Sequence, residues 1–229
     1  IADLCAGIFA AYGVTVALLE REVSGKGQWL HTSLLEAQIY MMDFQTSRWT
    51  LDHEIPGQAG NFHPTSIPTG VYRTKDGHIN IAVFGGKIWE RFAEAMGAPE
   101  WIADERSKTK AGRSVHRDWL NAEIEKRLME NTSDYWIEKL NREGVACGRI
   151  NNLKEVFEEP QVRHLGMLKK VTSKHFGEQT LMGQPVTLAR TPSTIARAAP
   201  KRGEHSEEIL EELGYDADAL KQMKAAGVF

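Results

Sequence analysis

Between Leu4 and Leu19 the chain carries no charged residue, and this stretch constrains the fold more than any other. Asp3 precedes it and Glu20-Arg21-Glu22 follows it, so charge returns abruptly at both ends. The residues between are helix-compatible but apolar all round, punctuated by Gly7 and Gly13. A helix without a polar face belongs inside a large protein or in a membrane. The uncharged run is shorter than the ~20 residues of a span, and no basic leader or cleavage site accompanies it. The pattern therefore predicts a buried helix from Leu4 to Val23, with Asp3 as its N-cap and Ser24-Gly25-Lys26-Gly27 as its stop. The elements needed to cover such a helix on every side are not evident in the segment that follows. The expectation is thus a C-terminal portion of a longer protein.

The rest of the composition excludes several function classes. A net charge of −3 and short basic stretches without interleaved aromatics give no electrostatic case for nucleic acid. The two cysteines, Cys5 and Cys147, are far apart in apolar surroundings, which predicts no disulfide framework and fits a reducing cytoplasm. The histidines lack a paired ligand spacing, so no metal is expected. No membrane partner is expected either.

Along the chain, Gln28 to Thr32 reads as a short strand and Ser33 as the cap of a second helix running to about Leu51. The segment from Asp52 to Gly70 is rich in proline and glycine and has no periodic apolar face, which marks a linker or a shaped loop. After it, Ile79, Ile81 and Val83 alternate behind a Lys75-Asp76-Gly77 turn, the pattern of a hairpin. Helices follow over Lys87 to Met96, Arg113 to Met129, and from a Thr132 or Ser133 cap to Asn141. Val145 to Ile150 reads as a strand, Leu153 to Glu158 as a short helix, and Pro160 to Leu165 as another opened by its proline. Two β segments, Leu168 to Ser173 and Gln179 to Leu181, flank a Phe176-Gly177 turn, with Val186 to Leu188 as a third. The tail is loop and helix.

Chemistry-bearing motifs are few. No G-x-S-x-G elbow exists, and the glycines at 25, 27, 57 and 60 match neither a P-loop nor a dinucleotide fingerprint. Gly85-Gly86 before a helix reads either as an anion site or as a tight strand-to-helix turn. Asp3 likewise has two readings. It is a structural cap, or it is a carboxylate fixed at a defined point and favoured in its charged form by the helix N-terminus, as nucleophilic catalysis requires.

The order of motifs then points to a family. "DLCAGIFAAYGVTVALLEREVSGKGQ" (Asp3 to Gln28) and "TSLLEAQ" (Thr32 to Gln38) resemble the middle of class III CoA-transferases, the CaiB/BaiF or formyl-CoA transferase-like family. The resemblance continues through "GNFHPTSIPTGVYRTKDGHINIAV" (Gly60 to Val83), "WERFAEAMGAPEW" (Trp89 to Trp101), "GVACGRI" (Gly144 to Ile150) and "APKRGEHSEEILEELGY" (Ala199 to Tyr215).

The resemblance implies an α/β fold. Residues 1–58 would be the remainder of a Rossmann-like large domain bearing the catalytic aspartate. Residues 59–150 would form a smaller α+β domain with antiparallel strands, and residues 151–229 would return to the large domain. It implies Asp3 as the catalytic nucleophile toward an acyl-CoA, with coenzyme A entering as substrate, a small carboxylic acid as second partner, and an interlocked homodimer for the full-length protein. Backbone N–H groups of the Gly57 to His63 loop would stabilise oxyanions, with Gly57, Gly60, Asn61 and His63 touching substrate. Related enzymes carry a run of glycines there that this chain replaces with Gly57-Gln58-Ala59-Gly60-Asn61-Phe62-His63. The chain by itself is expected to be inactive. Two alternatives stand beside this reading: an acyl-CoA racemase of the same family, although Gly85 occupies the place of the acidic residue such enzymes carry, and a non-catalytic binding module.

Overall fold

The computed structural model describes all 229 residues and separates into two compact units, Ile1–Arg149 and Ile150–Phe229. It is an assembly of helices with two small antiparallel sheets.

The first unit begins with α1 (Ala2–Ser24), which closes on a left-handed Gly25 as the Ser24–Gly27 stop requires. Its start differs from expectation. Ile1 occupies the N-cap and Asp3 lies inside the first turn, without a capping bond. Nor is the helix buried: none of its residues is enclosed within the chain. At 23 residues it also exceeds the uncharged run itself, and by length and composition alone it is long and apolar enough to cross a membrane. It instead lies beside the next helix, α2 (Leu34–Tyr40). Phe9 meets Tyr40 edge to face at 5.1 Å, and Leu30 sits against Gly13, where a Cβ would be 3.7 Å from its side chain.

Residues 28–32 form no strand, because no neighbouring strand offers a ladder for their backbone. Residues 1–58 therefore contain helices and connecting loops but no strand. Ser33 caps α2 as read from the sequence, its hydroxyl accepting from Glu36 N–H at 3.2 Å. The single helix expected to Leu51 is broken at Met41–Asp43, where Asp43 takes a positive φ of 51°, and resumes as α3 (Phe44–Asp52).

The core lies farther along the chain. Strands β1 (Thr69–Arg73), β2 (His78–Ala82) and β3 (Ala146–Arg149) form an antiparallel sheet in the order β1-β2-β3. Ile79 and Ile81 point from β2 into an interior shared with Trp89 and Phe92 of α4 (Gly86–Ala95). After a 3-10 turn at Pro99–Ile102 come α5 (Lys110–Val115), α6 (Arg117–Leu128) and α7 (Ser133–Arg142). These bring Leu120, Ile124, Leu128, Trp136 and Leu140 onto the same core. Each such side chain, fully buried, contributes about 1.5–3 kcal/mol. The helix expected from Arg113 is thus two helices, divided at His116. Asp76 of the hairpin turn fastens the sheet to α7, accepting from Ser133 N–H at 2.7 Å and Ser133 Oγ at 2.8 Å. Gly85, at φ 92°, makes the turn into α4, which accounts for the glycine without a ligand.

In the second unit, α8 (Leu153–Glu158) opens on an Asn152–Glu155 capping box and α9 (Pro160–Leu165) on its proline. Strands β4 (Leu168–Ser173) and β5 (Gly177–Met182) pair antiparallel, and α10 (Ser206–Glu212) and α11 (Ala217–Ala225) end the chain. Val186–Leu188 forms no strand; the β4–β5 ribbon has no third member.

Candidate active site

Asp3 is exposed in the first turn of α1 and forms no hydrogen bond or ion pair. A carboxylate in that turn lies beside helix N–H groups that have no intrahelical partner. It is a free acceptor rather than a structural cap. Tyr40, the last residue of α2, meets Phe9, six residues after Asp3 in α1.

Beyond Tyr40 the break before α3 opens a cleft of about 890 Å³, lined by Ile39, Met41, Met42, Trp49, Ile55 and Gly57, with Gln38, Gln45 and Thr46 as its polar groups. A mostly apolar wall with a few hydrogen-bonding groups is the usual makeup of a small-molecule site, and methionines let such a wall adapt. From the sequence, Met41 carries no signal, and Met42 and Trp49 are apolar residues of the helix expected from Ser33 to Leu51, not site residues. They sat on an apparently continuous helical stripe, and the break that turns them to a cleft is signalled only by Asp43.

The loop after α3 is less free than expected. Phe62 N–H donates to Ala59 O at 3.1 Å and His63 N–H to Thr69 O at 2.8 Å, while Asn61 O accepts from Val71 N–H at 3.1 Å. The end of the loop is therefore stitched to β1, and Phe62 and His63 are not available as oxyanion donors. The N–H groups of Gly57, Gly60 and Asn61 have no internal partner, and Gly60 holds a left-handed φ of 59°. Nothing lies within 4 Å of a Cβ placed at Gly57 or Gly60, so open space faces both. A ligand can approach this backbone closely.

His63 is the most constrained of the candidates. Its Nδ1 accepts from Ser66 N–H at 2.9 Å and Thr65 N–H at 3.2 Å. Its ring stacks on Phe44 at 5.7 Å, nearly parallel at 9°, and meets Phe84 edge-on at 5.8 Å. Arg117 Nη2 donates to His63 O at 2.9 Å and Pro64 O at 2.8 Å. The structure thus groups Gly60, Asn61 and His63 on one pinned loop and places Gly57 at the cleft. No hydrogen bond or ring contact joins any of them to Asp3. No group of three or more histidine, cysteine, aspartate or glutamate side chains is placed to hold a metal ion. Cys147 is half-buried, and burial pushes its thiol up to about 12, far from a reactive thiolate.

Residues 1–206 match the family described as CoA-transferase family III. The chain is 28% identical over 227 residues to the succinyl-CoA:glutarate CoA-transferase of Homo sapiens, covering 99% of this chain and 52% of that protein. It is 30% identical over 230 residues to the succinyl-CoA–D-citramalate CoA-transferase of Chloroflexus aurantiacus, covering 100% of this chain and 57% of that protein. A crystal structure of a CAIB/BAIF family protein from Brucella suis superposes with a TM-score of 0.75 at 26% identity, over 93% of this chain and 55% of that one. The chain spans about half the length of the relatives it matches.

Proposed function

The chain belongs to CoA-transferase family III, and from that premise we propose that it carries the aspartate-bearing part of an enzyme that moves coenzyme A from an acyl-CoA to a free carboxylate. The observation that carries this reading is the family match together with an exposed, unpartnered Asp3 in the first turn of α1.

In the proposed reaction an Asp3 carboxylate oxygen attacks the thioester carbonyl, and the C–S bond breaks to give a mixed anhydride and CoA thiolate. The thiolate then attacks the Asp3 carbonyl, releasing the donor acid as its carboxylate and leaving an aspartyl-CoA thioester. An acceptor carboxylate attacks that thioester, forming a second anhydride and freeing the thiolate, which takes the acceptor's acyl group and restores Asp3. Each step passes through an oxyanion, for which the unpaired N–H groups of Gly57, Gly60 and Asn61 are suited donors. His63 supplies a hydrogen bond to the acceptor carboxylate, and the apolar cleft holds the acyl chain.

Transfer is favoured over racemisation because the relatives described above are named transferases. A binding module is disfavoured by the same names. Since those relatives are about twice as long, we propose that these 229 residues need the remaining length of the family for turnover and for binding CoA. Packing by that remaining length, and by a second protomer of an interlocked dimer, would cover the exposed apolar α1 in place of lipid. The cysteines, neither in a disulfide, suit a cytoplasmic enzyme.

The test is an acyl-CoA and carboxylate exchange assay on the full-length enzyme, using succinyl-CoA with a panel of dicarboxylates. Asp3→Ala should abolish exchange, and hydroxylamine should trap the aspartyl thioester at Asp3 in the unmutated protein. Exchange that survives Asp3→Ala would remove Asp3 from the mechanism; exchange by the 229 residues alone would refute the need for the remaining length.

A further inference from the structure

The segment from His63 to Ile67 commits six of its nine backbone N–H and C=O groups to hydrogen bonds. His63 N–H is bonded to Thr69 O, and Ile67 O accepts from buried Arg113 Nε at 2.8 Å. His63 O and Pro64 O share Arg117 Nη2, while Thr65 N–H and Ser66 N–H both point at the His63 ring. Pro64 has no N–H to compete. Ser66 Oγ donates outward to Val83 O at 3.2 Å, tying the segment to the end of β2.

Two donors aimed at Nδ1 make it an acceptor, so the ring proton resides on Nε2. That Nε2–H has no partner in the protein. Phe44 and Phe84 stop the ring from turning. The imidazole is therefore a hydrogen-bond donor of fixed tautomer and orientation, the kind of group whose value depends on the shell behind it.

We infer that Arg117 is the positioning residue of this donor: from the first turn of α6 it clamps His63 O and Pro64 O, and so holds the His63 Nε2–H ready for a substrate carboxylate. The inference rests on the reading of His63 as a carboxylate contact. Arg117 Nε is buried without a partner, so the two carbonyls are the polar contacts that fix its guanidinium. A lysine in its place reaches one carbonyl with a point charge and cannot reproduce a planar donor.

The experiment uses the full-length enzyme with ¹⁵N-labelled histidine. In the unmutated protein the His63 signals should be those of the Nε2–H tautomer; an Nδ1–H tautomer overturns the inference at once. Arg117→Met should shift His63 toward a mixture of tautomers and raise KM for the acceptor carboxylate about tenfold, the loss of one charge-assisted hydrogen bond. Its kcat and the rate of aspartyl-CoA formation from acyl-CoA alone should stay within about twofold of the parent. Arg117→Lys should recover part of both effects and also serves if the methionine variant fails to fold. An unchanged tautomer and KM in a folded Arg117 variant, or a rise of KM matched by falls of kcat and melting temperature that lysine does not relieve, would reject the positioning role. Asp3→Ala separates the two levels: exchange that survives it disproves the transferase mechanism, while the tautomer measurement still decides the role of Arg117.

Discussion

Arg113 holds its guanidinium carbon 4.6 Å from the centre of the Trp89 ring, at a site where both residues are buried. It forms no ion pair there. Its Nε donates to Ile67 O and its Nη1 to Ser107 O at 2.7 Å, so carbonyl dipoles and an aromatic face carry the charge that a carboxylate would otherwise balance. Burial draws its pKa below the ordinary arginine value, by desolvation alone. Arg113→Met keeps the volume but leaves two buried carbonyls unpaired. It should cost about 2 kcal/mol once the relief of burying a charge is set against the lost bonds. Arg113→Lys should restore less than half. Urea unfolding of the two variants measures this, and a methionine variant as stable as the parent would show that the carbonyls are satisfied in another way.

Tyr72 yields a prediction at the alkaline end. Its hydroxyl donates to Asn121 Oδ1 at 2.8 Å from a buried position in β1, and burial pushes its phenol up, against a smaller opposing pull from the charge of Arg117. A raised acid favours the folded state while protonated. Its contribution is full below the ordinary value near 10 and is lost as pH climbs toward the raised one. One of the five tyrosines should therefore resist ionisation in absorbance titrations until the protein unfolds, and Tyr72→Phe should remove that late fraction. A Tyr72→Phe titration curve that keeps the late step would assign it elsewhere.

How far the sequence could be read depended on where the decisive information lay. Helices α8 and α9 and strand β4 begin and end where local signals place them, because Asn152, Pro160 and the turn at Phe176-Gly177 act within a few residues. The hairpin of β1 and β2 follows from its alternation and its turn. The break at Met41–Asp43 was hidden because Ile39, Met42 and Trp49 continue an apolar stripe across it, and the break at His116 because no proline or glycine marks it. The burial expected of α1 failed for a different reason: apolar composition states that a surface wants covering, not whether the covering lies within these residues. Among the candidate site residues, Asp3, Gly57 and Gly60 kept open space or free polar groups. Arg117 carried no sequence signal, because its partners are carbonyls of a loop distant in the chain.

At the acid end, Asp104 is the group to watch. The Arg106 side chain first, and then its backbone N–H, hold the Asp104 carboxyl down at about 2. The bonds are Nε to Oδ1 at 3.0 Å, Nη2 to Oδ2 at 2.6 Å and N–H to Oδ1 at 2.9 Å. Arg106 is in turn seated 3.7 Å over the Trp119 ring, which limits the freedom of the pair. A depressed carboxylate stabilises the fold fully above its ordinary value near 3.8 and loses that contribution as pH falls to about 2. Asp104→Asn should flatten the stability curve across that window, as measured by urea midpoints from pH 2 to 5. Parallel curves for parent and variant would dismiss the pair as a source of acid sensitivity.

Gly70 governs how closely β1 approaches the candidate site loop. A Cβ at this position would lie 2.5 Å from Phe62 Cδ1, 2.7 Å from Asn61 O and 2.9 Å from Phe62 Cα. Two of those atoms are backbone, so rotation of a side chain cannot relieve the overlap. The loop must move, and with it the bond from Val71 N–H to Asn61 O, the bridge of Phe62 to Gly70 and the edge contact of Phe62 with Tyr72 at 5.3 Å. Gly70→Ala should therefore destabilise the protein by about 1–3 kcal/mol, the usual cost of forcing an extra carbon into a packed site. In the full-length enzyme it should also raise KM for the acceptor carboxylate, because Asn61 and His63 shift with the loop. Phe62→Ala added to Gly70→Ala removes the ring clash but not the overlap with Asn61 O, so the double variant should recover only part of the loss. A double-mutant cycle measures that coupling directly; additive effects of the two substitutions would mean that strand and loop are not in the contact described.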